Sequence, residues 1–214
     1  MELLEQGRIT FLYRPRVEEQ NPDDLADVQR LLVVLEPDAR ERYRLIAMGR
    51  KRMPHSGRHE RFWGFVDAVL DHPQDMEAIL GAQTYGTKTR GVRHLPAARL
   101  AGDGSYALEL HDDHTHLAYA LERLERDDPI VADLSIEPSA SYIVAVANPD
   151  PTAWGMVEPP PLQQELFDEL EIHVTVPAPF PPALQHRFRG RRYSQLDSTE
   201  WLDHAGAELI FISE

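Results

Sequence analysis

The stretch LELHDDHTHLAYALE, residues 108–122, decides how the rest of the sequence is interpreted. On both sides of Asp112-Asp113 apolar and polar residues alternate, which is typical of two strands joined by a tight turn. A turn at this pair predicts that residues whose numbers sum to 225 face each other. One face of the hairpin then carries core residues: Tyr106, Leu108, Leu110, Leu117 and Tyr119. The other face gathers polar residues: Glu109, His111, His114 and His116.

Three imidazoles and a carboxylate at cross-strand distance are a possible ligand set for a divalent metal such as zinc, iron or manganese. A metal held there could activate water, which makes a phosphoesterase-like metal-dependent hydrolase one hypothesis for function. The same residues can instead form the solvated face of a two-faced hairpin. A helix starting after Asp113 would scatter the set, and the helical spacing of Leu117, Leu121 and Leu124 leaves that alternative open.

Three glycine-initiated apolar stretches lie about a hundred residues apart: GRITFLYR (7–14), GSYALELH (104–111) and GAELIFIS (206–213). Weaker matches occur in the same order between them, which indicates an internal duplication. In each half, three strand-like runs precede a helical run, at residues 60–70 and 162–172. The sequence therefore predicts an α+β fold with mostly antiparallel sheets built from a duplicated βββα unit.

The predicted organisation is one compact domain over residues 1–214, with pseudo-repeats 1–100 and 101–214. The helical run at 60–70 has apolar residues at Phe62, Val66, Val69 and Leu70. The run PQDMEAIL predicts a second short helix that ends at Gly81. Residues 21–32, NPDDLADVQRLL, could begin a helix, because Pro22 follows Asn21 at a first-turn position. They are interpreted instead as a loop entering a strand.

The amino-acid composition excludes some kinds of functional site and some kinds of partner. The chain has 214 residues and no cysteine, which excludes disulfides, thiolate ligands and a cysteine nucleophile. The net charge of −14 is uneven, because residues 1–99 hold 16 basic against 15 acidic residues and residues 100–214 hold 6 against 21. The low pI of about 5.1 makes nucleic acid an unlikely partner.

The basic residues occur in bursts, and two bursts contain an Arg-Gly motif, RGVR at 90–93 and RGRR at 189–192. Arginine makes forked contacts with phosphate and carboxylate groups. Glycine can turn the backbone so that neighbouring N–H groups form an anion-binding concavity. The candidate ligand-binding residues are Arg90, Arg93, Arg191 and Arg192. The competing interpretation is that these arginines pair with the excess of acidic residues.

These observations favour a binding or interaction protein with an arginine-lined site for a small anionic ligand, or for a protein partner. Walker, dinucleotide and serine-hydrolase motifs are absent from the sequence. IHVTV at 172–176 matches one half of the two-histidine phosphoesterase pattern, but His114-Thr115-His116 has histidine where the other half requires threonine. No signal peptide and no 18-residue apolar run are readable, so we expect a cytoplasmic protein without a membrane segment.

The segments FLYRPRV, GRKRMP, HTHLAYALE and GAELIFI resemble those of an uncharacterised family of bacterial cytoplasmic proteins. The similarity covers most of the chain. The resemblance implies that the chain folds as a single unit, and it implies no activity.

Overall fold

The computed structural model describes residues 1–87, 91–155 and 180–214. Most of the secondary structure is strand. The strands are β1 (Glu2–Pro15), β2 (Val28–Pro37), β3 (Tyr43–Met48), β4 (Arg61–Leu70), β5 (Gln83–Thr87), β6 (Gly91–Leu95), β7 (Arg99–Leu110), β8 (Thr115–Leu124), β9 (Ser139–Ala147), β10 (Tyr193–Gln195) and β11 (Glu208–Ser213). The α-helices are α1 (Pro73–Leu80), α2 (Pro129–Asp133) and α3 (Pro182–Gln185), with 3-10 helices at Leu25–Asp27, Pro151–Trp154, His186–Phe188 and Thr199–Asp203. Within these ranges, no helix has the length and apolar character needed to cross a bilayer.

Eight strands close into an antiparallel β-barrel in the order β1-β2-β3-β4-β11-β9-β8-β7, with β7 pairing back onto β1. The pairing of β8 with β9 completes the ring. The short strand β10 occupies the same edge of β9 as β8 does, beyond the point where β8 ends. Val144 is opposite Thr115 of β8, and the next residue, Ala145, is opposite Gln195 of β10.

The barrel corrects the predicted fold class. The α+β assignment and its βββα unit are wrong, because residues 61–70 form strand β4 and the helices are short. A β-bulge explains the error: Leu45 is opposite Ala68 and Ile46 is opposite Val66, so Asp67 is an extra residue in β4. In a regular strand every second residue faces inward. The bulge adds one residue to this repeat, so that the inward residues Phe62, Val66 and Val69 have the spacing expected of a helix.

The chain builds the barrel from two four-stranded meanders, one of β1 to β4 and one of β7, β8, β9 and β11. Gly7 and Gly104 occupy corresponding places, since Gly7 is opposite Tyr106 and Gly104 is opposite Ile9. A Cβ at Gly7 would lie 2.0 Å from Glu36 O, and one at Gly104 would lie 2.1 Å from Ala120 O. Close strand approach therefore requires glycine at both positions. The predicted helix at 162–172 lies outside the described residues, and the single domain and its division near residue 100 stay predictions.

Most of the side chains that fill the barrel interior in the described residues are apolar. They include inward side chains of the strands and an aromatic plug of Phe180, Phe188 and Trp201. Phe180 and Phe188 each place their ring centroid 5.0 Å from that of Trp201. A second cluster lies outside the barrel, where Met76 of α1 covers Phe65 and neighbouring side chains of β2 and β3. This cover explains why β4 is apolar on both faces. As predicted, α1 ends before Gly81. Residues 21–27 lead into β2 as predicted, except that Leu25–Asp27 form a short 3-10 helix rather than a plain loop.

The hairpin of β7 and β8 has the predicted register. Glu109 is opposite His116 and Leu108 is opposite Leu117, so paired numbers sum to 225. The His111 amide donates to His114 O at 2.8 Å and closes the turn. Leu108 and Leu117 are buried in the barrel core, which directs Glu109 and His116 to the outer face. The alternative helix after Asp113 is wrong.

Candidate functional site

A cleft of about 620 Å³ lies where the turn between β7 and β8 meets the chain around β10. Its floor is the outer face of β9 at Ile143 and Ala145. His114 lines one wall, and a run of arginines lines the other: Arg187, Arg189 and Arg191. The fold thus joins two parts of the sequence that were predicted as separate sites.

The arginine wall is held by buried groups on either side of it. Phe188 is buried against Trp201, which fixes the 3-10 helix His186–Phe188 to the core. Arg189 and Gly190 then take left-handed backbone angles, with φ of 50° and 71°. The buried Asn148 donates from Nδ2 to Arg191 O at 2.9 Å and from its amide to Arg192 O at 2.8 Å. These contacts direct the arginine-rich turn toward the cleft.

The turn does not form an anion-binding concavity from the amides that flank Gly190. The Arg189 amide donates to His186 O at 3.1 Å, and the Arg191 amide donates to Phe188 O at 2.9 Å. Both donors are used within the chain. An anion in the cleft would therefore be bound by side chains, chiefly by guanidinium groups.

The charges along the cleft are only partly compensated. Arg187 Nη2 lies 2.6 Å from Asp197 Oδ1, which also accepts from Trp201 Nε1 at 2.9 Å. Arg189 and Arg191 are exposed and make no ion pair with any residue in the described ranges. Among the described residues that line the cleft, these two arginines are free to bind an anionic ligand.

The three histidines stand together at the edge of the cleft, on the outer side of the barrel. Their ring centroids lie 5.0 Å apart for His111 and His114, 4.8 Å for His111 and His116, and 4.7 Å for His114 and His116. His114 Nδ1 is 2.6 Å from Asp113 Oδ1, and His116 Nδ1 is 2.9 Å from Ser141 Oγ. The sequence thus predicted correctly that these rings come together.

The local electrostatics follow from these contacts. Burial lowers the pKa of His116, and the neighbouring His114 and His111 act in the same direction, whereas Glu214 and Glu109 oppose them. The hydrogen bond from His114 lowers the pKa of the Asp113 carboxyl. His116 therefore favours the neutral imidazole, the form that binds metals.

The structure brings the three predicted histidine rings close together, but it does not bring the ligand atoms of the predicted metal set close together. The rings of His111 and His114 are stacked with an angle of 7° between their planes. In the part of the chain that the structure describes, the group whose ligand atoms all lie within 4.8 Å of one another is Asp23, Asp24 and Asp27. Glu109 stays opposite His116 across the hairpin. Metal binding by Glu109, His111, His114 and His116 stays a prediction.

The predicted arginine set is divided by the fold. Arg191 lines the cleft. Arg192 follows it without lining the cleft, and its carbonyl accepts the Asn148 amide. Arg93 lies on β6, with its Nε 3.8 Å from Glu18 Oε1. Arg90 lies outside the described residues. The two Arg-Gly motifs therefore do not contribute to one site among the described arginines.

Sequence reasoning missed Arg187 and Arg189 as cleft residues. The signal was present, since both belong to the run RFRGRR at 187–192. The sequence did not reveal that this run and the hairpin turn near residue 113 line the same cleft.

No family model, curated protein or solved structure matches the chain. The resemblance to a bacterial family stays a prediction.

Proposed function

We propose that the protein is a binding protein that holds a small anionic ligand, bearing a phosphate or carboxylate group, in the cleft between His114 and the arginine run. The observation that supports this most is the pair Arg189 and Arg191, two guanidinium groups on one cleft wall without an ion-pair partner among described residues. A cytoplasmic location is part of the proposal.

The shape of the site suits a small molecule. A volume of about 620 Å³ is within the range of small-molecule sites. The floor of Ile143 and Ala145 offers apolar contact, while the arginines offer forked hydrogen bonds to phosphate or carboxylate oxygens.

The acidic residues of the cleft indicate which further groups the ligand should carry. Asp197 is neutralised by Arg187, and Asp113 bonds to His114. Asp112 has no such partner among the described residues, and it also lines the cleft. The ligand that fits best carries its anionic group toward Arg189 and Arg191 and a hydrogen-bond donor toward Asp112.

Titration calorimetry with inorganic phosphate and with citrate tests the proposal. The Arg189→Gln/Arg191→Gln double variant should weaken binding at least about 10-fold, because each charge-assisted hydrogen bond contributes about 1.5–3 kcal/mol. Arg126→Gln is the matched control, since Arg126 is exposed and does not line the cleft. Raising the salt concentration should also weaken binding.

Two outcomes contradict the proposal. One is that neither phosphate nor citrate binds to the wild-type protein. The other is that binding falls equally in the double variant and in Arg126→Gln, which would show attraction to the general surface charge rather than to the cleft.

A further inference from the structure

We propose that His111, His114 and His116 together bind one divalent transition-metal ion on the outer face of the barrel. The site goes beyond the anion cleft and does not depend on it, although His114 borders both. Imidazole ligands suit zinc, cobalt, nickel and copper, and three of them are the protein ligand set of many zinc sites.

The spacing of the rings supports this site. Tetrahedral coordination with metal–nitrogen distances of about 2.0–2.1 Å places the centres of bound imidazole rings roughly 5 Å apart. The three histidine centroids form a nearly equilateral triangle with sides of 4.7, 4.8 and 5.0 Å. The hairpin register and the four-residue turn fix this triangle, because His116 is on β8 and the other two histidines close the turn.

Hydrogen bonds already select the nitrogen that each ring would offer. His114 uses Nδ1 for Asp113 Oδ1, and His116 uses Nδ1 for Ser141 Oγ. In both rings Nε2 is then the atom left to bind a metal. A carboxylate behind a histidine is the arrangement that orients metal-binding histidines and increases their basicity.

Binding requires a rotation of the His111 ring, which now lies parallel to that of His114, whereas His114 and His116 can keep their Nδ1 hydrogen bonds. The torsion between Cβ and the ring of histidine is broad, so the His111 ring can turn without changing its main rotamer. His111 and His114 are only half-buried at the tip of the hairpin, which leaves space for the rotation. Glu109, opposite His116, or a water molecule can supply the fourth ligand.

The test is a titration with Zn²⁺ followed by calorimetry, and with Co²⁺ followed by visible absorption, which reports tetrahedral coordination. We expect one ion per chain in the wild-type protein. His116→Ala and His111→Ala should each weaken binding by more than about 100-fold, since even the loss of a ligand's hydrogen-bond partner costs about 10–100-fold. Asp113→Asn should weaken binding by that smaller factor of about 10–100-fold.

Controls separate this site from other effects. His94→Ala removes an exposed histidine of β6 and should leave metal binding unchanged. The Arg189→Gln/Arg191→Gln variant should also retain the metal, so that failure of the anion cleft and failure of the metal site can be told apart. Circular dichroism verifies that each variant is folded. Absence of stoichiometric Zn²⁺ binding, or unchanged binding in folded His116→Ala, would overturn the proposal.

Discussion

Arg44 Nε donates to Asp203 Oδ1 at 2.8 Å inside the barrel, although the two residues lie 159 positions apart in the chain. The Arg44 side chain is fully buried, and its Nη1 also donates to Glu5 Oε1. Tyr106 donates its hydroxyl to the same Glu5 oxygen at 2.7 Å. A single guanidinium thus connects strands β1 and β3 to the 3-10 helix Thr199–Asp203.

Replacing this arginine should strongly destabilise the barrel. Arg44→Ala takes the fully buried guanidinium away from Glu5 and Asp203 and leaves them the more exposed Arg40, whose Nη2 lies 2.8 Å from Asp203 Oδ2. Breaking a buried ion pair costs about 3–5 kcal/mol, and we expect a loss of up to that size. Arg8→Ala is the control, because Arg8 pairs with Asp103 on the surface and a surface pair contributes less than about 1 kcal/mol. Urea unfolding gives both free energies of unfolding. Similar losses in the two variants would show that the buried cation has no special importance.

A second prediction concerns Asp128, which serves two elements at once. Its Oδ1 accepts the Ile130 amide at 2.9 Å as the N-cap of α2, and its Oδ2 accepts the Tyr13 hydroxyl at 2.6 Å. Burial and this carboxylate raise the pKa of Tyr13 to about 12. Asp128→Ala should lower the free energy of unfolding by about 1–3 kcal/mol, since it removes the cap and takes away the carboxylate that accepts the Tyr13 hydroxyl proton.

The neighbouring Asp127→Ala is the matched control, because Asp127 is exposed and should tolerate the change. Absorption titration of the tyrosines gives an independent measurement. In Asp128→Ala one tyrosine should ionise at a lower pH than in the wild-type protein. An unchanged titration would contradict the assigned contact.

A third prediction tests the close approach of strands at Gly104. A Cβ there would lie 2.1 Å from Ala120 O and 2.6 Å from the Cα of Leu121, so Gly104→Ala must separate β7 from β8. We expect the free energy of unfolding to fall by about 1–3 kcal/mol, which is the usual cost of overpacking. Gly86→Ala is the control, since a Cβ at Gly86 meets nothing within 4 Å. Thermal unfolding of the two variants should therefore differ, and equal melting temperatures would argue against this strand register.

A fourth prediction concerns acid stability through Glu60. Its carboxylate accepts two hydrogen bonds from Arg52 at 2.8 Å and one from the His55 amide at 2.8 Å, and these contacts lower the pKa of Glu60 from 4.5 to about 2. Because the folded-state pKa lies below the unfolded one, the stabilisation is complete above about pH 4.5 and is lost as the pH falls toward 2.

Unfolding of Glu60→Gln and wild type at several pH values measures this contribution. The wild-type protein should be the more stable at pH 7, and the difference should shrink between pH 4.5 and pH 2. A difference that stays constant over that interval would mean that Glu60 does not act through its charge.

Local pattern predicted the β7–β8 hairpin correctly, including its register, because alternation and turn position together determine which side chains face each other. The same reasoning failed at β4. Its two apolar faces and the extra residue at Asp67 produce a helix-like spacing that periodicity alone cannot distinguish from a strand with a bulge.

The candidate site could be predicted only in pieces. The histidines were found because they lie within six residues of sequence. The cleft could not be predicted, because it depends on the pairing of β10 with β9 beside the end of β8. This pairing places Gln195 opposite Ala145, and no local sequence pattern indicates it. The arginine run was noticed for its charge, but its position beside His114 is a property of the closed barrel.

The position of β11 between β4 and β9 has a consequence for how the chain folds in time. The strand that closes the barrel, β11, is formed by residues 208–213. A chain that is still being synthesised therefore cannot close the barrel until these residues have been made. Until then the edges of β4 and β9 expose unpaired backbone groups, which are templates for pairing with other chains. Many of the contacts join distant parts of the sequence, and such topologies fold slowly. We therefore expect this protein to fold more slowly than a helical protein of similar length, which refolding kinetics after dilution from urea would measure.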